Sequence, residues 1–458
     1  MNFSSRWFAA LSLCISFFAL GITAYAQTAS TMDGAVVGTV TDSSDAAIPN
    51  VAVTLSGVAV MGDKKITTDA NGAYRFLALT PGDYRLSFEA TGFGVQTRDG
   101  IHVSLGFTAT VNVQMAVGTV SENITVNSET SAIDLESNNV TTDLEAPALA
   151  SLPGSRDLWN VLSMTPAVAE TKMDVGGSDA LTQQGYSVYG LSGSGGGGIN
   201  RGEVEGMMVN EGSGGGGSEM FYADYGAMQT VSVNAANNTS EMPQPGVLSD
   251  MIVKSGGNEF HGNFYFDYEN GAMEWHNINA AQIATLTAGG VVPTAAVPLV
   301  DVNRLNLFRD LSANVGGYVI KNKLWWFVSY RYAVTEQNYP TLNESQTSWS
   351  PNYTGKVTYN LTNKQRLVGF YTHSNKYQPD YLNAMVLSGG RQGGALETGP
   401  TAWNSSYPVY VYDGEYIYDI TPSLELRLQG GNYFSGWTRL GKSSLPRIED
   451  LLNLAYYS

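Results

Sequence analysis

The sequence predicts a mainly β protein in three parts: an N-terminal β-sandwich, a middle region of mixed α and β structure, and the first strands of an incomplete antiparallel transmembrane β-barrel. Three observations predict this fold class. Short apolar runs broken by turn residues fill the first part, mixed signals with glycine tracts fill the second, and long segments of alternating apolar and polar residues fill the third. A chain of 458 residues has room for all three.

The first 26 residues have the features of a secretory signal peptide. Arg6 precedes an apolar run over residues 8–22, and Ala24-Tyr25-Ala26 forms a small-residue cleavage site. A lipoprotein signal at Cys14 is the alternative, but a bulky residue stands directly before that cysteine. We predict that residues 1–26 are removed, which also removes the single cysteine and excludes disulfide bonds.

Two further features limit the class of protein. After residue 26, no apolar run approaches the roughly 20 residues of a transmembrane helix, so any membrane crossing must use β-strands. The net charge is −17 and no basic stripe is present, which argues against a nucleic-acid partner. We attribute the acidity to solubility outside the cytoplasm rather than to cation binding.

Residues 27–117 are predicted to form the β-sandwich. Turn chemistry is supplied by Asp69-Ala70-Asn71-Gly72 and by Thr80-Pro81-Gly82-Asp83, in which glycine tolerates a positive φ and proline fixes its own φ. The short runs predicted as strands are residues 34–40, 50–57, 65–69, 73–79, 83–90 and 108–115.

The segments GTVTDSSDAAIPNVAVTL and TDANGAYRFLALTPGDYRLSFEATGF in this region resemble the carboxypeptidase-regulatory-like domains. Those domains are immunoglobulin-like sandwiches with a carbohydrate-binding-like fold. The resemblance implies neither peptidase activity nor sugar binding.

Residues 131–256 change in character. A short helix is predicted after a Ser155 N-cap, with Leu158, Val161 and Leu162 on one face and Pro166 as its stop. The glycine tracts over residues 195–198 and 214–217 are predicted to be loops. The segments LPGSRDLWNVLSMTPAV, FYADYGAMQTVSV and GVLSDMIVKSGGNEFHG resemble the plug domain of TonB-dependent outer-membrane receptors.

Residues 257–458 are dominated by long alternating strands. In the third of them, the apolar and aromatic face runs from Leu324 through Tyr330 to Val334, and the opposite face includes Ser329 and Arg331. The hairpin ANVGGYVIKNKLWWFVSYRYAVTE resembles the early barrel of the same receptors. The predicted strands are residues 258–268, 312–320, 324–335, 351–361, 365–374, 405–419 and 424–434.

The connections between these strands alternate in length. Short turns are predicted at 321–323, 362–364 and 419–423, and long loops at 269–311, 336–350 and 375–404. Short turns on one rim and long loops on the other are typical of bacterial outer-membrane barrels. We therefore expect the aromatic faces to contact lipid.

Motifs of enzyme chemistry lack the setting that they need. Residues 436–443 have P-loop spacing but follow an alternating strand, and the glycines from Gly193 to Gly198 lack the strand and helix that frame a dinucleotide site. The four histidines have no metal-ligand spacing, and no nucleophile elbow is present. We predict no catalytic residues, no metal and no cofactor.

Residues 118–130 are predicted to be a linker that carries a candidate TonB box, Glu122-Asn123-Ile124-Thr125-Val126. The resemblance implies that a TonB-type inner-membrane energising protein captures this extended segment by strand addition, which uses backbone donors and acceptors. A final strand of the sandwich and a plain linker are the alternatives.

The resemblance implies an outer-membrane receptor that takes up a scarce solute, with an oligosaccharide as a candidate and with the N-terminal sandwich in the periplasm. Aromatic side chains expected in the loops could stack on such a ligand; anchoring at the lipid interface is their alternative role. These ligand candidates are Trp275, Trp349, Tyr381 and Trp403.

Seven strands cannot enclose a plug of over a hundred residues, because the interior of a barrel of about eight strands holds only side chains. We therefore expect a truncated receptor that does not transport alone. The rival interpretation is a secreted adhesion or glycan-binding protein made of several sandwiches, in which the alternating strands pack into soluble cores.

Overall fold

The structure is a computed structural model. The predicted signal peptide, both glycine tracts, Glu122 and Asn123 lie outside the residues that it describes. The described residues are 33–57, 62–116, 124–126, 140–152, 155–170, 180–181, 186–188, 201–210, 221–236, 246–276, 278–288, 304–338, 345–381, 403–421, 424–441, 448–450 and 455–457.

The N-terminal region is a sandwich of two sheets. One sheet has the order β4-β1-β7, with β8 also paired to β1, and the other has the order β3-β2-β5-β6-β9. The strands are β1 (Gly34–Asp42), β2 (Ala52–Gly57), β3 (Lys64–Thr67), β4 (Ala73–Leu79), β5 (Gly82–Glu89), β6 (Gln96–Val103), β7 (Thr108–Thr110), β8 (Val113–Met115) and β9 (Ile124–Val126).

Side-chain alternation builds the core of this sandwich. On β5, Tyr84, Leu86 and Phe88 are buried while their neighbours face solvent, as period-two patterning requires. The turn at residues 69–72 forms as predicted: Asp69 Oδ1 accepts hydrogen bonds from the backbone N–H of Asn71 at 2.8 Å and of Ala73 at 2.9 Å. The predicted strands are present, and the run 108–115 divides into β7 and β8.

The strand β6 was missing from the prediction. Its Asp99-Gly100 pair is a typical turn signal, but here it lies inside the strand, where the register with β5 shifts between Tyr84 and Leu86. Gly100 has φ +71°, a conformation that glycine adopts without steric cost. The turn signal therefore marks a bulge rather than the end of a strand.

The central region is an α+β domain. Its five-stranded sheet has the order β10-β15-β16-β13-β14, and β11 pairs separately with β12. Its elements are β10 (Val140–Glu145), α1 (Ala146–Ser151), α2 (Leu158–Ser163), β11 (Val168–Glu170), β12 (Tyr186–Val188), β13 (Arg201–Val204), β14 (Met207–Met208), β15 (Met228–Ala236) and β16 (Leu248–Val253).

Helix α2 is the helix predicted after Ser155, but its cap is different. Asp157 is the N-cap, and its Oδ1 accepts a hydrogen bond from the backbone N–H of Asn160 at 3.1 Å. Ser155 instead donates to Asp157 Oδ2 at 2.6 Å and so orients the capping carboxylate. The predicted apolar face is correct, since Leu158, Val161 and Leu162 are buried.

The C-terminal region is an antiparallel sheet of long strands in sequential order from β17 to β23, with β24 also paired to β22. Helix α3 (Ala280–Ala288) lies in the connection from β17 to β18. The strands of this sheet are β17 (His261–Asn270), β18 (Arg304–Ile320), β19 (Leu324–Asn338), β20 (Ser345–Thr362), β21 (Gln365–Tyr381), β22 (Trp403–Thr421), β23 (Leu424–Ser435) and β24 (Thr438–Gly441). Two further strands, β25 (Ile448–Asp450) and β26 (Ala455–Tyr457), pair with each other in a separate two-stranded sheet.

All seven predicted long strands are present, and most are longer than predicted. The short turns at 321–323 and 363–364 agree with the prediction, and only two residues separate the end of β22 from the start of β23. The predicted long loops are shorter, because β19 and β20 extend into 336–350 and leave only residues 339–344 between them. The strand ends are rich in polar residues, which are also typical of loops. Their backbones nevertheless continue the hydrogen-bonded pairing of the strands.

In this sheet the apolar side chains lie largely on the exposed face and the polar side chains on the buried face, the reverse of the arrangement in a water-soluble protein. On β19, Val328, Tyr330 and Tyr332 are exposed, whereas Ser329 and Arg331 on the opposite face are buried. The predicted division of β19 into two faces is therefore correct. The exposed apolar side chains of the other strands include Phe264, Phe266, Tyr268, Val315, Val319, Tyr353, Val357, Leu361, Leu367, Tyr371, Tyr412, Leu424, Leu426, Leu428 and Phe434.

The fold class predicted from the sequence is confirmed: the chain is mainly β, with an N-terminal sandwich, an α+β domain and an open antiparallel sheet of barrel-type strands. The central domain packs against the buried face of the long-strand sheet, and Phe327, Phe370 and Val409 of that sheet join its apolar core. In the described parts of the chain, every helix is too short or too polar to span a membrane.

Candidate functional site between the central domain and the long strands

The central domain contacts the long strands through the loop at residues 221–227, which we call the docking loop. Asp224 caps a 3₁₀ turn at Tyr225–Ala227, and its Oδ1 accepts from the backbone N–H of Gly226 at 2.9 Å. All seven residues of the loop are buried. The cap fixes the path of the backbone, so several carbonyl groups point at the neighbouring strands.

Three strands bind backbone carbonyl groups of the docking loop. Asn314 Nδ2 on β18 donates to Gly226 O at 2.9 Å, and Arg331 Nη1 on β19 donates to Ala223 O at 2.7 Å. Asn352 Nδ2 on β20 donates to Tyr222 O at 2.8 Å. These bonds satisfy buried carbonyl groups that would otherwise lose their hydration.

A charged cluster surrounds the same loop. Arg331 forms a bidentate pair with Asp310, with N–O distances of 2.9 and 2.7 Å, and both side chains are almost fully buried. Asp224 accepts a hydrogen bond from Ser312 at 3.2 Å and another from Ser329. The planar guanidinium fits two carboxylate oxygens at once, so it fixes the geometry of β18 against β19.

Two cationic side chains of the central domain lie beside this cluster. Lys254 Nζ donates to Gly226 O at 2.9 Å, and the Arg156 guanidinium lies 3.9 Å from the centroid of the Tyr265 ring. Burial lowers the pKa of Lys254, and burial together with the nearby charge of Arg331 lowers the pKa of Arg156. Both cations therefore pay a desolvation cost, which Asp224 and the aromatic face partly offset.

A second anchor joins the central domain to β20. The turn between β13 and β14 holds Glu205 at φ +49° and Gly206 at φ +74°, the positive φ pair of a type I′ hairpin. Lys356 Nζ lies 2.8 Å from both Glu205 carboxylate oxygens and 3.2 Å from Val253 O. From β23, Gln429 Nε2 donates to Glu205 O at 2.8 Å.

A row of polar side chains crosses the sheet of the central domain. The strand register pairs Asp143 with Ser232, Ser232 with Asp250, and Asp250 with Glu203. Burial, followed by the charges of Glu203 and Glu205, raises the pKa of Asp250 well above its usual value. Burial also raises the pKa of Asp143, although Ser232 donates to its carboxylate at 2.6 Å.

Of the four aromatic ligand candidates, the strand register pairs Tyr381 with Trp403 across β21 and β22. Trp275 lies in a connection and is 88% exposed. Trp349, Tyr381 and Trp403 lie in strands rather than in loops, because β20, β21 and β22 are longer than predicted. The Trp349 ring stacks on that of Tyr377 with centroids 5.8 Å apart, on the face opposite the buried Ser348 and Ser350. A ligand role for these four residues stays a prediction.

Part of the candidate TonB box is described. Ile124–Val126 forms β9, which pairs in parallel with residues 96–98 of β6 at the edge of the sandwich. Capture of this segment by a partner would have to compete with that pairing. Its role as a box stays a prediction.

Sequence analysis missed the docking loop and its partners. The segment FYADYGA was recognised only by resemblance, and Arg331 only as a member of a polar strand face. One available signal is Arg331 itself, since a charged residue among alternating polar positions of a barrel-type strand requires a buried partner. Among the described residues, no group of histidine, cysteine, aspartate and glutamate side chains could hold a metal ion.

Comparison with known proteins identifies the class of the N-terminal region. Residues 35–116 match the model of the carboxypeptidase regulatory-like domain, which covers nearly the whole of the paired strands from β1 to β8. The resemblance predicted for this region is therefore confirmed.

The larger part of the chain is similar to a transporter. Over 332 residues it is 24% identical to the TonB-dependent transporter Oar of Myxococcus xanthus, and the alignment covers 70% of this chain and 28% of that protein. The chain thus spans less than a third of this relative, and it combines a carboxypeptidase regulatory-like domain with homology to a TonB-dependent transporter. The relative's name, a TonB-dependent transporter, agrees with the receptor class that the resemblance implied.

Two bacterial receptors of solved structure are similar to part of the chain. The siderophore receptor PirA from Acinetobacter baumannii has a TM-score of 0.47 and 14% identity, over 70% of this chain and 42% of the receptor. The ferripyoverdine receptor of Pseudomonas aeruginosa has a TM-score of 0.44 and 12% identity, over 73% of this chain and 41% of the receptor. The chain spans less than half the length of each.

Proposed function

We propose that the chain acts in a TonB-dependent outer-membrane receptor that takes up a scarce solute. The observation that carries this proposal is the inverted polarity of the long strands. Their exposed face is largely apolar on the strands from β17 to β23, and the buried face of the strands from β18 to β21 carries serine, threonine, asparagine, lysine and arginine. Soluble monomers rarely expose an apolar surface of this extent, whereas an outer-membrane barrel requires an apolar outer face and a polar interior.

The central domain acts as the plug in this proposal. Its docking loop is held by side-chain hydrogen bonds from Asn314, Arg331 and Asn352 rather than by apolar packing alone. The neutral bonds from Asn314 and Asn352 contribute about 0.5–1.5 kcal/mol each, and the bond from the charged Arg331 contributes about 1.5–3 kcal/mol. Opening of the interface would also separate Phe327, Phe370 and Val409 from the apolar core of the central domain.

A TonB-type inner-membrane energising protein is the proposed partner, and Glu122–Val126 is its proposed point of capture. Strand addition would transfer the backbone hydrogen bonds of Ile124–Val126 from β6 to the partner. Only three residue pairs join β9 to β6, so this exchange would break few bonds.

The sandwich is placed in the periplasm by this proposal. Arg366, just after the short turn at 363–364, donates to Ala78 O of the sandwich at 3.4 Å. Arg427, near the start of β23, forms an ion pair with Asp33. The sandwich therefore lies at the short-turn rim, which faces the periplasm in bacterial barrels.

For the solute, we propose only a chemical class. An oligosaccharide is the candidate, because exposed aromatic rings such as that of Trp275 can stack on sugars. Uptake assays with labelled oligosaccharides and with ferric siderophores would separate this candidate from the ligands named for the solved receptors.

Cell fractionation tests the proposed location. We expect the chain in the outer-membrane fraction, resistant to a urea wash and released only by detergent. The rival, a secreted adhesion or glycan-binding protein, requires a soluble monomer in the absence of detergent. Recovery of such a monomer would end the receptor proposal.

Cross-linking tests the proposed partner. The only cysteine of the chain is Cys14 in the predicted signal, so Thr125→Cys would introduce a unique thiol into the mature protein. We expect it to form a disulfide with cysteines placed in the strand-adding region of the TonB-type protein. Thr110→Cys on β7, in the other sheet of the sandwich, is the matched control, and equal cross-linking of both variants would contradict the assignment.

A further inference from the structure

A cleft of about 400 Å³ separates the sandwich from the short-turn rim of the long-strand sheet. Lys64, Lys65 and Tyr84 line it from the sandwich, and Lys364 and Arg366 line it from β21 and the turn before it. Its size lies in the range of small-molecule sites, which are commonly formed between domains.

The residues that line this cleft are more cationic than the chain as a whole. Four cationic side chains line it, against the two carboxylates of Asp63 and Asp419, in a chain whose net charge is −17. Positive charges that lie close together repel one another, which raises the free energy of the folded state. A bound anion would offset this repulsion.

The cations of the cleft are held by backbone carbonyl groups at long distances. Lys64 Nζ donates to Leu77 O at 3.3 Å, Arg366 Nη2 to Ala78 O at 3.4 Å and Lys364 Nζ to Ile420 O at 3.5 Å. Within the described residues, Arg366 Nε is buried and has no hydrogen-bond partner. A guanidinium has five N–H donors, so Arg366 has at least one donor that no protein group in the described part of the chain satisfies.

The pKa of Lys64 reflects its position in the cleft close to Arg366. Burial, and then the neighbouring charge of Arg366, lowers the pKa of Lys64 to about 8. An anion between the two cations would oppose both effects and keep Lys64 charged at neutral pH.

We propose that this cleft binds a phosphate group. Phosphate offers several oxygens and up to two negative charges, which match the fork of Arg366 and the point charges of Lys64 and Lys364. The group could belong to a free phosphate, a soluble phosphate ester or a phospholipid head group. The proposal does not depend on solute uptake by this chain.

Calorimetric titration of the full chain in detergent tests the site at constant ionic strength, with inorganic phosphate and glycerol phosphate as soluble probes. Micelles doped with phosphatidylglycerol serve as the lipid probe, and the rise in Tm is the readout. The variants are Lys364→Gln with Arg366→Gln, and Lys364→Gln alone in case the double variant folds poorly. The control is Lys321→Gln with Lys323→Gln in the neighbouring short turn.

We expect saturable binding of at least one probe, at least tenfold weaker binding in the double variant and unchanged binding in the control. Binding of a soluble probe assigns the site to a free anion or ester, and a Tm response to the doped micelles alone assigns it to a lipid head group. The proposal is overturned if no probe binds, or if the cleft variants bind like the wild type, or if the control loses as much affinity.

Discussion

Lys356 on β20 and Glu205 in the hairpin between β13 and β14 form an ion pair in which Nζ lies 2.8 Å from both carboxylate oxygens. The side chains are only 7% and 14% exposed, so the pair joins the central domain to the long strands away from bulk water. Removal of one partner leaves the other charge buried, and its desolvation is then uncompensated.

Lys356→Met should therefore destabilise the protein by about 3–5 kcal/mol. The measurement is chemical unfolding in detergent, followed by protease access to the central domain. The double variant Lys356→Met with Glu205→Gln should recover part of the loss, because no charge remains unpaired. A single-variant cost below about 1 kcal/mol, the value of an exposed pair, would contradict this role.

Arg331→Met tests the charged cluster beside the docking loop. It leaves Asp310 buried without its cation and removes the donor to Ala223 O, so we expect a loss of about 3–5 kcal/mol and earlier proteolysis of the docking loop. Arg309→Met on the exposed face of β18 is the matched control and should have little effect. Equal effects of the two substitutions would show that the buried cluster does not hold the central domain.

Val328→Arg tests the environment of the exposed face. Val328 is 45% exposed, so in a water-soluble protein this change would cost almost nothing. On a lipid-facing strand it should cost about 2–4 kcal/mol and reduce the yield of chain in the outer membrane. Asn363→Arg in a short turn is the control and should insert normally, whereas normal insertion of Val328→Arg would argue for water at this face.

Asp250 predicts a pH dependence of stability. The pKa of Asp250 is higher in the folded state than its value of about 4 in the unfolded state. At pH values between these two pKa values, the native state therefore binds more protons than the unfolded state. The free energy of unfolding should therefore fall as pH rises above about 4, until Asp250 is ionised in the folded state.

Asp250→Asn should flatten this part of the profile, because an amide keeps the shape of the protonated acid and does not ionise. The exposed Glu89→Gln is the matched control and should leave the slope unchanged. The measurement is the denaturant midpoint as a function of pH. An identical slope in wild type and Asp250→Asn would assign the effect to other groups.

The long strands could be predicted because their alternation extends over many residues and the two faces differ in chemistry. The division of β19 into an aromatic face and a face with Ser329 and Arg331 follows from period two alone. Strand ends could not be predicted equally well. Residues such as Gln337 and Gln346 pair across β19 and β20, yet their polarity is also typical of loops.

The docking loop and its partners could not be predicted, because their contacts join segments that are far apart in the sequence. Asp224 and Ser329 are 105 residues apart, and Asn352 and Tyr222 are 130 residues apart, so no local pattern relates them. Likewise, Ser155 has the residue type of an N-cap, but the backbone places Asp157 in that position. Local propensity correctly predicted a polar N-cap at this helix. The path of the backbone in the folded chain determines that the cap is Asp157 and not Ser155.

The parallel pairing of β9 with β6 determines how a mechanical load would enter the molecule. A pull on the chain at residue 126 would act first on a three-residue strand at a sheet edge, before any force reached the closed core of the sandwich. This strand would yield at low tension, while the two sheets behind it stayed intact. Once this strand is released, the load would pass along the chain from residue 126 to β10 without unfolding the sandwich.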